Sequence, residues 1–95
     1  MSKLRQYAID RSMHDPEFKA AYEAEMALMD LVRARKAMGL SQTDMADRLH
    51  VSQPYLAQIE GMTKKLNAGL MFRYAAELGL SLKVVKPDPS QEATL

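Results

Sequence analysis

Between residues 39 and 79 the chain is punctuated so closely that only short helices fit. Gly39, Gly61 and Gly79 stand where helices end, and Ser41, Ser52 and Asn67 stand where the next ones begin. Gly39 follows Arg35 and Lys36, cations suited to the negative end of a helix dipole, and reads as a left-handed C-terminal cap. Ser41 with Asp44 three residues on has the form of a capping box. That helix stops near His50. Ser52 caps the next, with Pro54 in its first turn, and Gly61 ends it. A loop holding Lys64 and Lys65 leads to Asn67 and a helix over residues 68–78. Met45, Ala46 and Leu49, then Leu56 and Ile59, then Met71, Tyr74, Ala75 and Leu78 form the inward faces.

Residues 1–14 show no sustained period. Asp15-Pro16-Glu17 then opens a helix: Asp as N-cap, Pro at the first position, Glu near the positive end. Phe18, Tyr22, Met26 and Met29 make one apolar stripe, widened by Leu28, Leu31, Val32 and Met38. Residues 16–38 are therefore one long helix or two sharing an axis. At the other end Leu80, Leu82 and Val84 alternate with Ser81 and Lys83, and Val85 follows, so residues 80–86 read as a strand. A lone strand leaves backbone N–H and C=O groups unpaired, and the same strand of a second copy can pair them about a two-fold axis. A short solvated tail is the alternative. Residues 87–95 look disordered.

Ninety-five residues suffice for one domain and one modest core. With no Cys there is no disulfide, thiol nucleophile or Cys-based zinc site, and the cytoplasm is the expected location. No run approaches a membrane span, and no secretory signal opens the chain. The two histidines, His14 and His50, lack ligand spacing, so no metal is expected. No phosphate-cradling Gly loop or nucleophile–base pair is present, which argues against an enzyme, a cofactor or a small-molecule substrate. The net charge of +1 is unevenly spread: −2 over residues 1–30, +4 over 31–73 and −1 over 74–95. A basic middle suits nucleic acid, and equally an unevenly solvated surface.

Residues 42–61 decide between them. QTDMADRLHVSQPYLAQIEG has a small residue, Ala46, where two helices must cross closely, and apolar Met45, Leu49, Val51, Leu56 and Ile59 at the packing positions. Gln53, Pro54, Tyr55, Ala57 and Gln58 are left facing outward, a surface suited to a major groove. Glutamine can offer adenine a donor–acceptor pair. An ordinary helical hairpin with solvated glutamines is the alternative.

LSQTDMADRLHVSQPYLAQIEG resembles the helix-turn-helix of Xre/Cro-type regulators, and the likeness covers about residues 26–79. It implies an all-α, compact five-helix domain that binds a palindromic operator as a two-fold dimer. By that resemblance Gln42 holds a phosphate, while Gln53, Pro54 and Gln58 face base edges. Tyr55, Lys64 and Lys65 meet sugar or phosphate, and Ser52, the cap of the second motif helix, is a further candidate DNA contact. Arg35 and Glu60 match a buried, structural salt bridge of such domains. The chain departs from the pattern at His50, where the family usually has Gly in the turn, and at Pro54, which lacks a hydrogen-bonding side chain.

HDPEFKAAYEAEMALMDLVRARKAMGLSQ resembles HigA-type antitoxins, and AAELGLSLKVVKP resembles the C-terminal strand of these and of HipB-type antitoxins. The resemblance implies a RelE/HigB-like mRNA interferase toxin as partner, and repression of the shared operon. Residues 1–25 then form a toxin-contacting extension. Tyr7, Ile9, Phe18 and Tyr22 are candidate anchors among Asp10, Glu17 and Glu23, with a core role the alternative for Phe18 and Tyr22. Leu80, Leu82, Val84 and Val85 are the candidate dimer contacts. A free-standing or phage-type repressor without a toxin, or a pure protein-interaction module, would share the same fold.

Overall fold

The computed structural model describes residues 14–65 and 67–83. Among them lie four helices: α1 (Pro16–Ala37), α2 (Gln42–Leu49), α3 (Gln53–Glu60) and α4 (Ala68–Glu77). Residues 16–37 are thus one continuous helix, and a fifth helix is not among the described residues. The chain divides into two units, residues 23–82 and residues 1–22 with 83–95.

Each helix begins where a side chain can accept the first free amides. Asp15 Oδ1 accepts from the N–H of Glu17 (3.0 Å) and of Phe18 (3.3 Å). Ser41 Oγ accepts from Asp44 N–H, and Asp44 Oδ2 accepts from Ser41 N–H, both at 3.0 Å. These bonds from the Ser41 backbone and side chain hold the Asp44 carboxyl below the usual carboxylate range. Ser52 Oγ takes the amide of Tyr55 (3.2 Å), and Asn67 Oδ1 that of Leu70 (3.2 Å).

All four helices end in one way. An amide just past each helix returns to a carbonyl five residues back: Leu40 to Arg35, Val51 to Ala46, Thr63 to Gln58 and Leu80 to Ala75. The residue just before that amide must be left-handed. Gly39 (φ 75°) and Gly79 (φ 74°) meet that need without strain, whereas His50 (φ 57°) and Met62 (φ 61°) carry a Cβ there. Gly61, which ends α3, is right-handed (φ −83°), so the turn falls on Met62 instead. α3 is therefore bracketed by the two strained residues. His50→Gly and Met62→Gly should each raise stability by roughly 0.5–1 kcal/mol, because the relief of Cβ strain exceeds the entropy glycine adds to the unfolded chain. Urea midpoints of the two variants check this, and an unchanged or lower midpoint would show that the turns bear no strain.

Helices of eight residues do not persist alone in water, so α2 and α3 depend on the core they share. Leu31, Met45, Ala46, Leu49, Leu56, Met71, Tyr74, Ala75 and Leu78 form it, with Leu40, Val51 and Leu82 packed against its edge. α2 packs directly on both α3 and α4, and Ala46 is the small buried residue in α2.

α1 corrects the expected stripe. It buries Leu28, Leu31 and Arg35, while Met26 and Met29 are each 37% exposed and Met38 is exposed too. At 100° per residue, Met26 and Met29 lie more than a quarter turn from the buried face. In the unit of residues 1–22, Phe18 and Tyr22 are half-buried and Glu17 is exposed. Tyr7, Ile9 and Asp10 lie outside the described residues.

Residues 80–83 take no regular structure. Leu80 is exposed, but Leu82 packs against its own core rather than lying open for a second copy. Val84 and Val85, with the rest of the expected strand and tail, lie outside the described residues. No helix among those described is long and apolar enough to cross a membrane.

Candidate nucleic-acid interface

Burial sorts the residues of α3. Leu56 and Ile59 point into the core, and Gln53, Pro54 and Gln58 are exposed together with the cap, Ser52. Tyr55 and Ala57, expected to face fully outward, are half-buried. On an eight-residue helix with two fully buried positions, the flanking residues are partly covered by the elements below.

The C-terminal end of α3 is anchored by charge. Arg35 Nη2 and Glu60 Oε1 are 2.7 Å apart, with the two side chains 6% and 5% exposed. Arg35 Nε donates to Glu60 Oε2 and to the Tyr74 hydroxyl, both at 3.1 Å, and Nη1 donates to the carbonyl of Leu40 at 2.8 Å. The Tyr74 hydroxyl donates to Glu60 Oε2 at 2.7 Å. Gln42 Nε2 donates to Glu60 Oε1 at 3.1 Å. Glu60 thus joins α3 to α1, α2 and α4. Among the described residues no buried side-chain polar atom lacks a partner.

Burial pushes the Glu60 carboxyl up, but hydrogen bonds from Arg35, Gln42 and Tyr74 and the Arg35 charge outweigh it and hold the group below the carboxylate range. Burial, and then the bond to Glu60, pushes the Tyr74 hydroxyl well above the phenol range. Burial opposes the Arg35 charge, yet its bonds to Glu60 and Tyr74 raise it further.

The network continues to the surface. Gln53 Nε2 donates to Gln42 Oε1 at 2.7 Å. Its polarity follows from Glu60, since an ionised carboxylate only accepts. Gln42 must turn its NH₂ toward Glu60, so its carbonyl oxygen faces Gln53, and Gln53 must answer with an N–H. That leaves Gln53 with its carbonyl oxygen and a second N–H, the pair of groups that matches an adenine edge. Gln42, expected to hold a phosphate, uses one N–H and its oxygen inside this relay and keeps one N–H.

Basic groups stand nearby. Lys64 Nζ lies 5.1 Å from the centroid of the Tyr55 ring, and Lys65 is exposed. Arg48 donates to the carbonyl of Glu77 (3.4 Å) and so serves the end of α4. Among the described residues, no group of His, Cys, Asp and Glu could hold a metal ion.

Sequence reasoning placed the Arg35–Glu60 pair only through resemblance. It missed the hydroxyl of Tyr74, which patterning treats as one more apolar inner position, and both bonds of Gln42.

Two short capped helices crossing at a small residue, the second with a polar outer face, define a helix-turn-helix. Residues 31–85, more than half of the chain, match the helix-turn-helix family of Xre/Cro type, and the chain belongs to that family. Its general function is that of a DNA-binding transcription regulator. The chain matches no curated protein and no solved structure.

Proposed function

We propose that the protein is the antitoxin of a toxin–antitoxin pair: a sequence-specific repressor of its own operon that binds DNA as a homodimer and neutralises a RelE/HigB-like mRNA interferase. The DNA-binding half of this reading rests on one observation, the exposed face of α3 with Gln53 oriented through Gln42. Gln53 and Gln58 read base edges, Pro54 makes apolar contact, and Ser52, Lys64, Lys65 and the remaining N–H of Gln42 meet the backbone of the duplex, with the Tyr55 ring beneath the Lys64 ammonium. The protein binds and does not catalyse.

Dimerisation is supported by apolar surface beside the expected strand. Phe72 on α4 is 59% exposed and Leu80, just past its end, 41%. A second copy can cover both, and residues 84–86 would extend the contact if they pair as a strand with their equivalents. The dimer then sets two α3 helices in successive major grooves, roughly 34 Å apart.

Toxin neutralisation is supported by the likeness of residues 14–42 to HigA-type antitoxins and by charge. Residues 16–30 carry Glu17, Glu23, Glu25 and Asp30 against Lys19, a surface suited to the basic face of a protein that acts on RNA. Tyr7, Ile9, Asp10, Phe18 and Tyr22 complete the proposed contact.

Two experiments test the two halves. For the first, binding is selected from random duplexes and the preferred site is remeasured with Gln53→Ala. Preference should relax at one base pair, by on the order of 1–3 kcal/mol. Equal weakening on every sequence would remove Gln53 from base readout. For the second, the tagged protein is captured from its native cells with and without residues 1–25. A small basic partner at fixed stoichiometry, lost on truncation, supports the antitoxin reading. A DNA-bound dimer with no partner leaves a free-standing repressor.

A further inference from the structure

We infer that Tyr55 is a positioning residue, whose ring holds the Lys64 ammonium where a DNA phosphate meets it, and that its hydroxyl is not the group that touches DNA. The inference rests on the DNA-binding reading and assigns a division of labour within it.

The two lysines of the loop between α3 and α4 are adjacent in sequence but unlike in setting. Lys64 Nζ sits over the Tyr55 ring at 5.1 Å, within the range where the negative face of an aromatic attracts a cation. Lys65 is exposed, and no ion pair or ring contact holds it among the described residues. Tyr55 is half-buried in the first turn of α3, between buried Leu56 and exposed Pro54, and its amide is held by Ser52 Oγ at 3.2 Å. A tyrosine has few rotatable bonds, while a lysine stem has four carbons whose freedom is lost on contact. Resting the ammonium on the ring removes part of that loss before DNA arrives.

The charge also stays available. No carboxylate pairs with Lys64 among the described residues, and a ring face, unlike a carboxylate, leaves the ammonium its three donors. A phosphate can then bind the ammonium without displacing a competing anion. The same contact ties the loop to α3, so the cation keeps its place beside the exposed Gln53, Pro54 and Gln58.

The test uses the full chain and a mixed-sequence duplex of a few tens of base pairs, titrated across a range of salt. Tyr55→Phe keeps the ring and should bind as the parent does. Tyr55→Leu should lose roughly two- to fivefold in affinity with the salt slope unchanged, since the charge remains. Lys64→Ala should flatten the slope by about 0.9. In the Lys64→Ala background, Tyr55→Leu should cost nothing more. A loss with Tyr55→Phe equal to that with Tyr55→Leu would assign the contact to the hydroxyl and overturn the inference. An equal cost of Tyr55→Leu in both backgrounds would do so too, by showing that the ring acts through packing of α3.

A measurement without DNA separates this from failure of the DNA-binding reading. The ε-methylene protons of Lys64 should be shifted upfield by the ring relative to those of Lys65, and the shift should persist in Tyr55→Phe. Equal shifts for the two lysines would refute the ring contact. A parent that shows the shift yet binds no duplex would refute the DNA-binding reading and, with it, the phosphate role.

Discussion

Glu60→Ala is expected to lower the unfolding free energy by about 3–5 kcal/mol. The loss comes less from the missing attraction than from what is left behind. Arg35 stays buried with only the Tyr74 hydroxyl and the Leu40 carbonyl as partners, and Tyr74 and Gln42 lose their acceptor. Folded domains hold only about 5–15 kcal/mol in reserve, so a 95-residue chain forfeits much of its stability. Urea unfolding followed by circular dichroism measures it. Replacing both partners, Arg35→Met with Glu60→Leu, should recover most of the loss because no charge is then stranded. A loss below about 1 kcal/mol for Glu60→Ala would place the pair among surface bridges, against its burial.

The same group sets the acid limit. The folded pKa of Glu60 lies below its unfolded value, so its contribution is full above the ordinary carboxylate range near 4.5. It is lost as pH falls through the depressed folded value. The parent should therefore lose stability in that window faster than Glu60→Gln does.

Leu56→Ala should cost about 2–5 kcal/mol, for a different reason. Leu56 is completely buried beneath the exposed face of α3, in a cluster with Leu31, Met45 and Leu49. Truncation leaves a cavity that residues from three helices line and cannot close without moving α3. The side chains that face outward are untouched, so DNA affinity measured per folded molecule should hold while the folded fraction falls. A protein that stays stable but loses affinity would mean that α3 shifts to fill the gap and that its outer face is sensitive to packing.

Local chemistry made much of the fold legible. Ser41, Ser52 and Asn67 each cap the helix expected of them, because a short acceptor before an apolar run has few other uses. The inward faces of α2, α3 and α4 are buried as their spacing requires. α1 was misread for a physical reason: it carries apolar residues on more than one face, and periodicity cannot say which face its neighbours cover. Met62 was invisible because nothing about methionine announces a left-handed turn, and Gly61 beside it looks the better candidate. The site was legible in part. Gln53, Pro54 and Gln58 are exposed as expected, but the bonds that orient Gln53 link residues 11 and 18 apart in sequence. No local pattern encodes them. By spacing Phe18 and Tyr22 suit a core more readily than a contact, and both are half-buried.

The relay from Glu60 through Gln42 to Gln53 makes respecification a two-position problem. A library randomised at residue 53 alone samples side chains against a fixed carbonyl oxygen, so it favours donors and penalises acceptors, whatever the base requires. Aspartate or glutamate at 53 meets that oxygen lone pair to lone pair. Randomising residues 42 and 53 together lifts the restriction, provided residue 42 still donates to Glu60. Relatives that read other operators are then expected to vary at these two positions in concert, and single changes at 53 to be rare among them.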